Sequence, residues 1–255
     1  MNMKHFAAAL LLALPGLAGA QQLLDFRRDL AFSAAEVDTL AARQYRQRLE
    51  ALEHKGRLDR DPALAARLQD ILPRLLRAAA YERPDSARLA WEIHVCTQCD
   101  ESASAMAGGK LLVSADFVAG LALDDDELAY LLAHEMAHVL AEHTREFATT
   151  ARFFVANGMK RGYGDIEHQL AEDLSVNLRM EPASVQQELE ADYIGFVLGA
   201  HAGFAPEAML RLLGKLHSDA HPLLGTHPSD AERLQRARAM LETARILAQR
   251  SREER

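Results

Sequence analysis

The sequence predicts an α+β fold that is mostly α-helical, with one small β-sheet. Three observations carry this. Apolar residues recur at helical spacing along most of the chain, only "WEIHV" and "KLLVS" read as strands, and no solenoid-length repeat appears. At 255 residues, 49% apolar and 26% charged, the chain has enough material for a sizeable globular core.

The first twenty residues, "MNMKHFAAALLLALPGLAGA", hold Lys4, an apolar run from Phe6 to Leu14 and a small-residue end at Ala18-Gly19-Ala20. That is the layout of a cleavable signal peptide over 1–20. The run is too short to span a bilayer, Pro15 and Gly16 break it, and no Cys stands at the junction to take a lipid. Cleavage removes one charged residue, Lys4, and takes the net charge from −8 to −9. The expected mature chain, 21–255, is one soluble domain exported to a bacterial periplasm.

Leu30, Val37, Leu40, Leu49 and Leu52 mark a helical stretch within 25–54. Leu64, Leu68, Leu72, Leu75 and Leu76 mark a second over 61–80, with Pro73 placed to kink it. The turn "YERPDS" separates these N-terminal helices from a core over about 91–255. There "WEIHV" and, after Gly108-Gly109, "KLLVS" are expected to share one sheet. Asp124, Asp125, Asp126 and Glu127 favour a helix start, expected to run to about residue 148. Residues 155–165, "VANGMKRGYGD", read as a mobile loop. With Phe153 and Phe154 beside it, that loop is either a lid over a cleft or an ordinary connection. "SVQQELEADYIGFVLGA" is helical, and helices over about 205–217 and 229–250 close the chain around "HSDAHPLLGTHPS".

The acidic balance, with no basic patch, argues against general nucleic-acid binding, which draws its affinity from clustered Lys and Arg. The two cysteines, Cys96 and Cys99, form one C-x-x-C after a strand with no helix directly following. A zinc ribbon needs a second pair. A local disulfide clipping a turn and a redox pair both remain open.

"AYLLAHEMAHVLAEHTRE" contains His134, Glu135 and His138. Residues four apart lie one turn above each other on a helix, so two imidazoles converge on one point, a geometry that suits zinc. Glu135, next to the first ligand, reaches a metal-bound water and is placed to act as general base. A catalytic zinc needs a third protein ligand. A His six residues after the second is excluded, because Thr144 stands there and Ala141 replaces the Gly of that pattern. His143 is one residue out of register, roughly 100° off the required face of a continuous helix, and reads as a polar-face residue. "ELEAD" supplies the alternative: Glu188 and Asp192 share a face, whereas Glu190 points about 200° away, toward solvent. Ala191, Gly195 and Gly199 form a small-residue ridge that lets the two helices approach closely, favouring Glu188 as ligand and Asp192 as the acceptor behind a ligand His.

"AHEMAHVLAEH" followed some fifty residues on by "ELEADYIGF" resembles the zinc metallopeptidases of the CAAX-prenyl-protease and HtpX family, in its soluble LoiP/BepA-like type. "SASAMAGGKLLVSADFV" is similar to that family's segment before the active helix, with Ser104 where an Asn is usual. "THPSDAERLQRAR" is similar to its His-Pro segment. The resemblance implies a zincin-like (gluzincin) metallopeptidase domain with a small β-sheet beside the His-Glu-x-x-His helix and one Zn2+ per chain. His134, His138 and Glu188 would be the ligands and Glu135 the base. Asp192 would orient a ligand, His227 would sit near the fourth zinc position, and Arg233 would neutralise charge near Glu188. Substrate backbone would lie along the strand near Ala105 and Met106.

The function so implied is a secreted zinc endopeptidase in envelope protein quality control. Its partners would be misfolded or outer-membrane polypeptides, with peripheral membrane association. Two other classes stay in view: a zinc-stabilised chaperone whose His227 latches the metal, and a redox protein built on Cys96 and Cys99.

Overall fold

The computed structural model describes residues 29–100, 102–218 and 230–253. The leader expected over 1–20 and His227 lie outside these residues. Two long helices come first, α1 (Ala34–His54) and α2 (Pro62–Glu82). Ser33 caps α1 by accepting from Glu36 N–H, and Asp61 caps α2 with Pro62 at its first position. Pro73 sits inside α2 without ending it.

Among the described residues the sheet has three strands, β1 (Glu92–Cys96), β2 (Ala103–Met106) and β3 (Lys110–Ser114), in the order β1-β3-β2. β1 runs parallel to β3 and β2 antiparallel to it. The sequence reading identified only two strands before the active helix. Ala103–Met106 escaped it because "ASAM" has little β-branched content, and the pair forms through Gly108 and Gly109, whose φ values of 77° and 82° turn the chain back. β2 is thus an edge strand. Tyr45 of α1 ties the sheet to the N-terminal helices by donating to the Leu111 carbonyl at 2.5 Å. Cys96, the last residue of β1, is joined to Cys99 in a disulfide.

After α3 (Ala115–Gly120) comes the central helix, α4 (Asp125–Leu140). A complete capping box, Asp124 with Glu127, starts it. It ends at Leu140, not at about 148. Glu142 adopts the left-handed conformation at φ 57°, and α5 (His143–Ala151) sets off in a new direction. The glycine-rich segment is partly structured, with a short 3-10 turn at Gly158–Lys160 before α6 (Tyr163–Glu172). The longest helix, α7 (Leu174–His201), is followed by α8 (Glu207–Ser218) and α9 (Asp230–Glu253). Among the described residues no helix is long and apolar enough to cross a membrane.

The α4–α7 pair is the centre of the molecule. A β-carbon on Gly195 would come within 2.9 Å of the His134 Cα, and one on Gly199 within 2.4 Å of the Tyr130 ring. Ala137, Ala141, Ala191 and Ile194 complete the contact. The small-residue ridge expected from the sequence therefore does bring the two backbones together. Gly195→Ala is expected to destabilise the fold by about 1–3 kcal/mol, because backbone atoms yield less than side chains do. Gly214 of α8, where an added β-carbon meets nothing within 4 Å, serves as control. Gly214→Ala should be neutral or slightly stabilising in a denaturant titration. Equal losses in the two variants would refute the close-packing argument.

Candidate metal centre

Two turns of α4 present His134 and His138 toward α7, which presents Glu188 and Asp192 in return. His134 Nε2 lies 3.2 Å from His138 Nε2 and 3.3 Å from Glu188 Oε2, while His138 Nε2 lies 3.4 Å from Glu188 Oε1. Three donors bound to zinc at about 2.0–2.1 Å in tetrahedral geometry stand about 3.3 Å apart. The observed spacing fits that requirement, and among the described residues these are the His and carboxylate side chains whose donor atoms converge. His134 and Glu188 are buried and His138 is half-buried.

The electrostatics agree. Burial on its own would push the His134 imidazole down, yet the hydrogen-bonded Asp192 and Glu188 carboxylates raise it to about 10. Burial likewise disfavours ionised Asp192, but Arg233 and His134 hold its carboxyl at about 2. The pocket is built to hold positive charge beside His134. Asp192 Oδ1 accepts from His134 Nδ1 at 3.0 Å, which directs Nε2 toward Glu188 and His138.

Arg233 comes from α9 and pairs with Asp192 through two bonds, Nε to Oδ2 at 2.6 Å and the second guanidinium nitrogen to Oδ1 at 2.8 Å. Arg233 was expected to neutralise charge near Glu188; the carboxylate it pairs with is that of Asp192, one turn farther along α7. The guanidinium is a planar fork that matches a carboxylate edge-on, and Asp192 offers it both oxygens while Oδ1 also accepts from His134.

Two expectations are corrected. Glu190 does not project into solvent: its Oε2 lies 3.3 Å from His143 Nε2. Nor is His143 a polar-face residue, being 2% exposed with its Nδ1 2.9 Å from His138 Nδ1. The His143 reading takes the helix as unbroken, and Glu142 breaks it; the turn brings His143 to Glu190 of α7. No glycine marks that break, so the sequence held no signal for it. Gln187 also went unnoticed; its side-chain amide donates to the His143 carbonyl at 3.1 Å and to Glu146 at 2.9 Å.

The donors open on a cleft of about 700 Å³ that Glu135 also lines. One wall is the edge strand, through Ala103, Ser104 and Ala105. Met106, expected beside Ala105 on the substrate side, instead packs toward Tyr45, Leu52 and Leu112. Of the glycine-rich segment 155–165, only Tyr163 borders the cleft.

A helix carrying His-Glu-x-x-His, a carboxylate from a second helix and an edge strand along the cleft define a metallopeptidase. Residues 62–241 match Peptidase family M48, and the chain belongs to that family: it carries a metallopeptidase domain, a hydrolase of a zinc-dependent class.

The chain is similar to the mitochondrial metalloendopeptidase OMA1 of Saccharomyces cerevisiae, at 29% identity over 68% of this chain and 54% of the relative. The corresponding protein of Schizosaccharomyces pombe is 31% identical over 62% of this chain and 49% of its own length. That of Arabidopsis thaliana is 32% identical over 57% and 30%. The chain thus spans about half or less of these relatives. Their mitochondrial designation overturns the expectation of a periplasmic, exported protein drawn from the leader.

Proposed function

We propose that the chain is a zinc-dependent endopeptidase that cleaves extended segments of unfolded or misfolded polypeptides, with one Zn2+ per chain. The observation that carries this reading is the convergence of His134, His138 and Glu188 at the mouth of a cleft shared with Glu135 and the edge strand β2. Bound there, zinc would supply Lewis-acid polarisation of the scissile carbonyl and of the attacking water.

The chain's own residues do the rest. Glu135 follows His134 on α4 and faces the same cleft; its carboxylate accepts a proton from the attacking water and returns it to the leaving amine. Asp192, fixed by Arg233, keeps the proton of His134 on Nδ1. Among the described residues β2 pairs with β3 and lines the cleft through Ala103–Ala105, where a substrate strand would add alongside it. That mode of binding selects the substrate class. A segment already paired in a folded protein has no backbone groups to offer an edge strand, whereas an unfolded one does. A role in protein quality control follows from that selection.

The test is cleavage of unfolded casein by the purified chain, before and after stripping of metal by a chelator. Activity should vanish on chelation, return with Zn2+ and fail to return with Mg2+, which prefers oxygen ligands. Undiminished cleavage by protein verified to be metal-free would refute the metallopeptidase mechanism. Casein binding without cleavage by zinc-loaded protein would favour a binding protein instead.

A further inference from the structure

A ligand imidazole must be held at its far nitrogen as well as its near one, because a ring free to turn misdirects its lone pair. For His134 that far partner is Asp192. For His138 the structure offers a different kind of partner. His138 Nδ1 lies 2.9 Å from His143 Nδ1, and His143 Nε2 lies 3.3 Å from Glu190 Oε2. Residues five apart on one continuous helix point about 140° away from each other. These two meet because α4 stops at Leu140 and Glu142, at φ 57°, turns the chain so that His143 comes back beneath His138. A left-handed non-glycine residue costs roughly 1 kcal/mol or more and persists where its surroundings hold it. Here Gln187 of α7 grips the His143 carbonyl, and Arg145 pairs with Glu142 at 3.0 Å.

We infer that His143 is a positioning residue for His138, with Glu190 as its anchor; this rests on the metal centre proposed above. The proton assignment is self-consistent. His138 turns Nε2 toward Glu188 and His134, so its proton sits on Nδ1 and is donated to His143 Nδ1. His143 then carries its own proton on Nε2 and donates it to Glu190. One tautomer of each ring satisfies the whole chain of bonds. The two ligands are therefore seated differently. His134 rests on a carboxylate paired with Arg233, whereas His138 rests on a second imidazole that hands the interaction on to a carboxylate one ring farther from the metal. Glu188, Glu190 and Asp192 of α7 thus all serve the same centre, Glu188 facing the donors directly and the other two through the ligands' far sides.

The experiment compares the full chain with His143→Ala, His143→Asn and Glu190→Gln. Asn keeps an amide oxygen near the position of the His Nδ1 acceptor, and Gln keeps the volume of Glu190 while removing its charge. Zinc affinity is measured by competition with a chromogenic chelator, the visible bands of the Co2+-substituted protein report ligand geometry, and melting of the metal-free protein reports folding. His143→Ala should weaken zinc binding about 10–100-fold and shift the Co2+ bands. His143→Asn should recover most of the affinity, and Glu190→Gln should show a smaller loss in the same direction with metal-free melting close to wild type.

Zinc affinity within twofold of wild type in all three, with unchanged Co2+ bands, overturns the inference. So does an Asn variant that loses as much as the Ala variant, which would mean that His143 only fills space. If His143→Ala does not fold, Glu190→Gln decides: unchanged affinity there overturns the inference. A wild-type chain that binds no zinc refutes the metal centre itself, and the inference with it.

Discussion

Glu135→Gln is expected to lower casein cleavage by at least about 10²–10⁴-fold while leaving zinc content at the wild-type level. The substitution preserves the shape and the hydrogen-bonding reach of the side chain and removes its capacity to take a proton. The donors themselves, His134, His138 and Glu188, are untouched, and Glu135 faces the cleft rather than the core. The measurement is a single-turnover rate on an unfolded substrate beside metal analysis of the same preparation. A rate within threefold of wild type at full metal loading would remove Glu135 from the chemistry. Loss of zinc in the variant would assign it to metal binding instead.

Glu188→Ala should lose bound zinc, and with it cleavage. The two remaining imidazoles form a bidentate site, and the buried carboxylate that brings negative charge to the pocket is gone. Glu188 lies 3.3 Å and 3.4 Å from the two imidazole nitrogens, so no neighbouring group takes its place without a shift of α7. Glu190→Ala is the informative companion. It removes a carboxylate two residues away that touches His143 rather than the donors, and should retain zinc at saturating concentration. Metal analysis after dialysis against a weak chelator separates the variants. Zinc retained without Glu188 and lost without Glu190 would reverse the assignment of the third ligand.

Helical periodicity made half of this centre readable in the sequence. The spacing of His134 and His138, and of Glu188 and Asp192, needs only that each pair sit on one helix face, and the ridge of Ala191, Gly195 and Gly199 says that the helices touch. What stayed hidden depended on departures from regularity. The left-handed turn at Glu142 uses a residue with no special preference for it, so the helix seemed to continue, His143 was aimed wrongly, and Glu190 was expected in solvent without the partner that the turn brings to it. Arg233 was expected near the site, but its pairing with Asp192 was not legible, because sequence separation does not tell which of two acids four residues apart a third helix will reach. The edge strand Ala103–Met106 lacks the branched side chains that advertise a strand, and its existence depends on β3 and the Gly108-Gly109 turn. His227 falls among the residues not described.

The contact of Gly195 with the backbone of His134 ties helix spacing to donor spacing. Any push that parts α4 from α7 also parts His134 and His138 from Glu188. Metal held there acts as a cross-link between distant stretches of chain and favours the folded form by mass action. Packing and metal loading are then two readings of one coordinate. A helix-parting change far from the cleft would register first as a weaker hold on zinc.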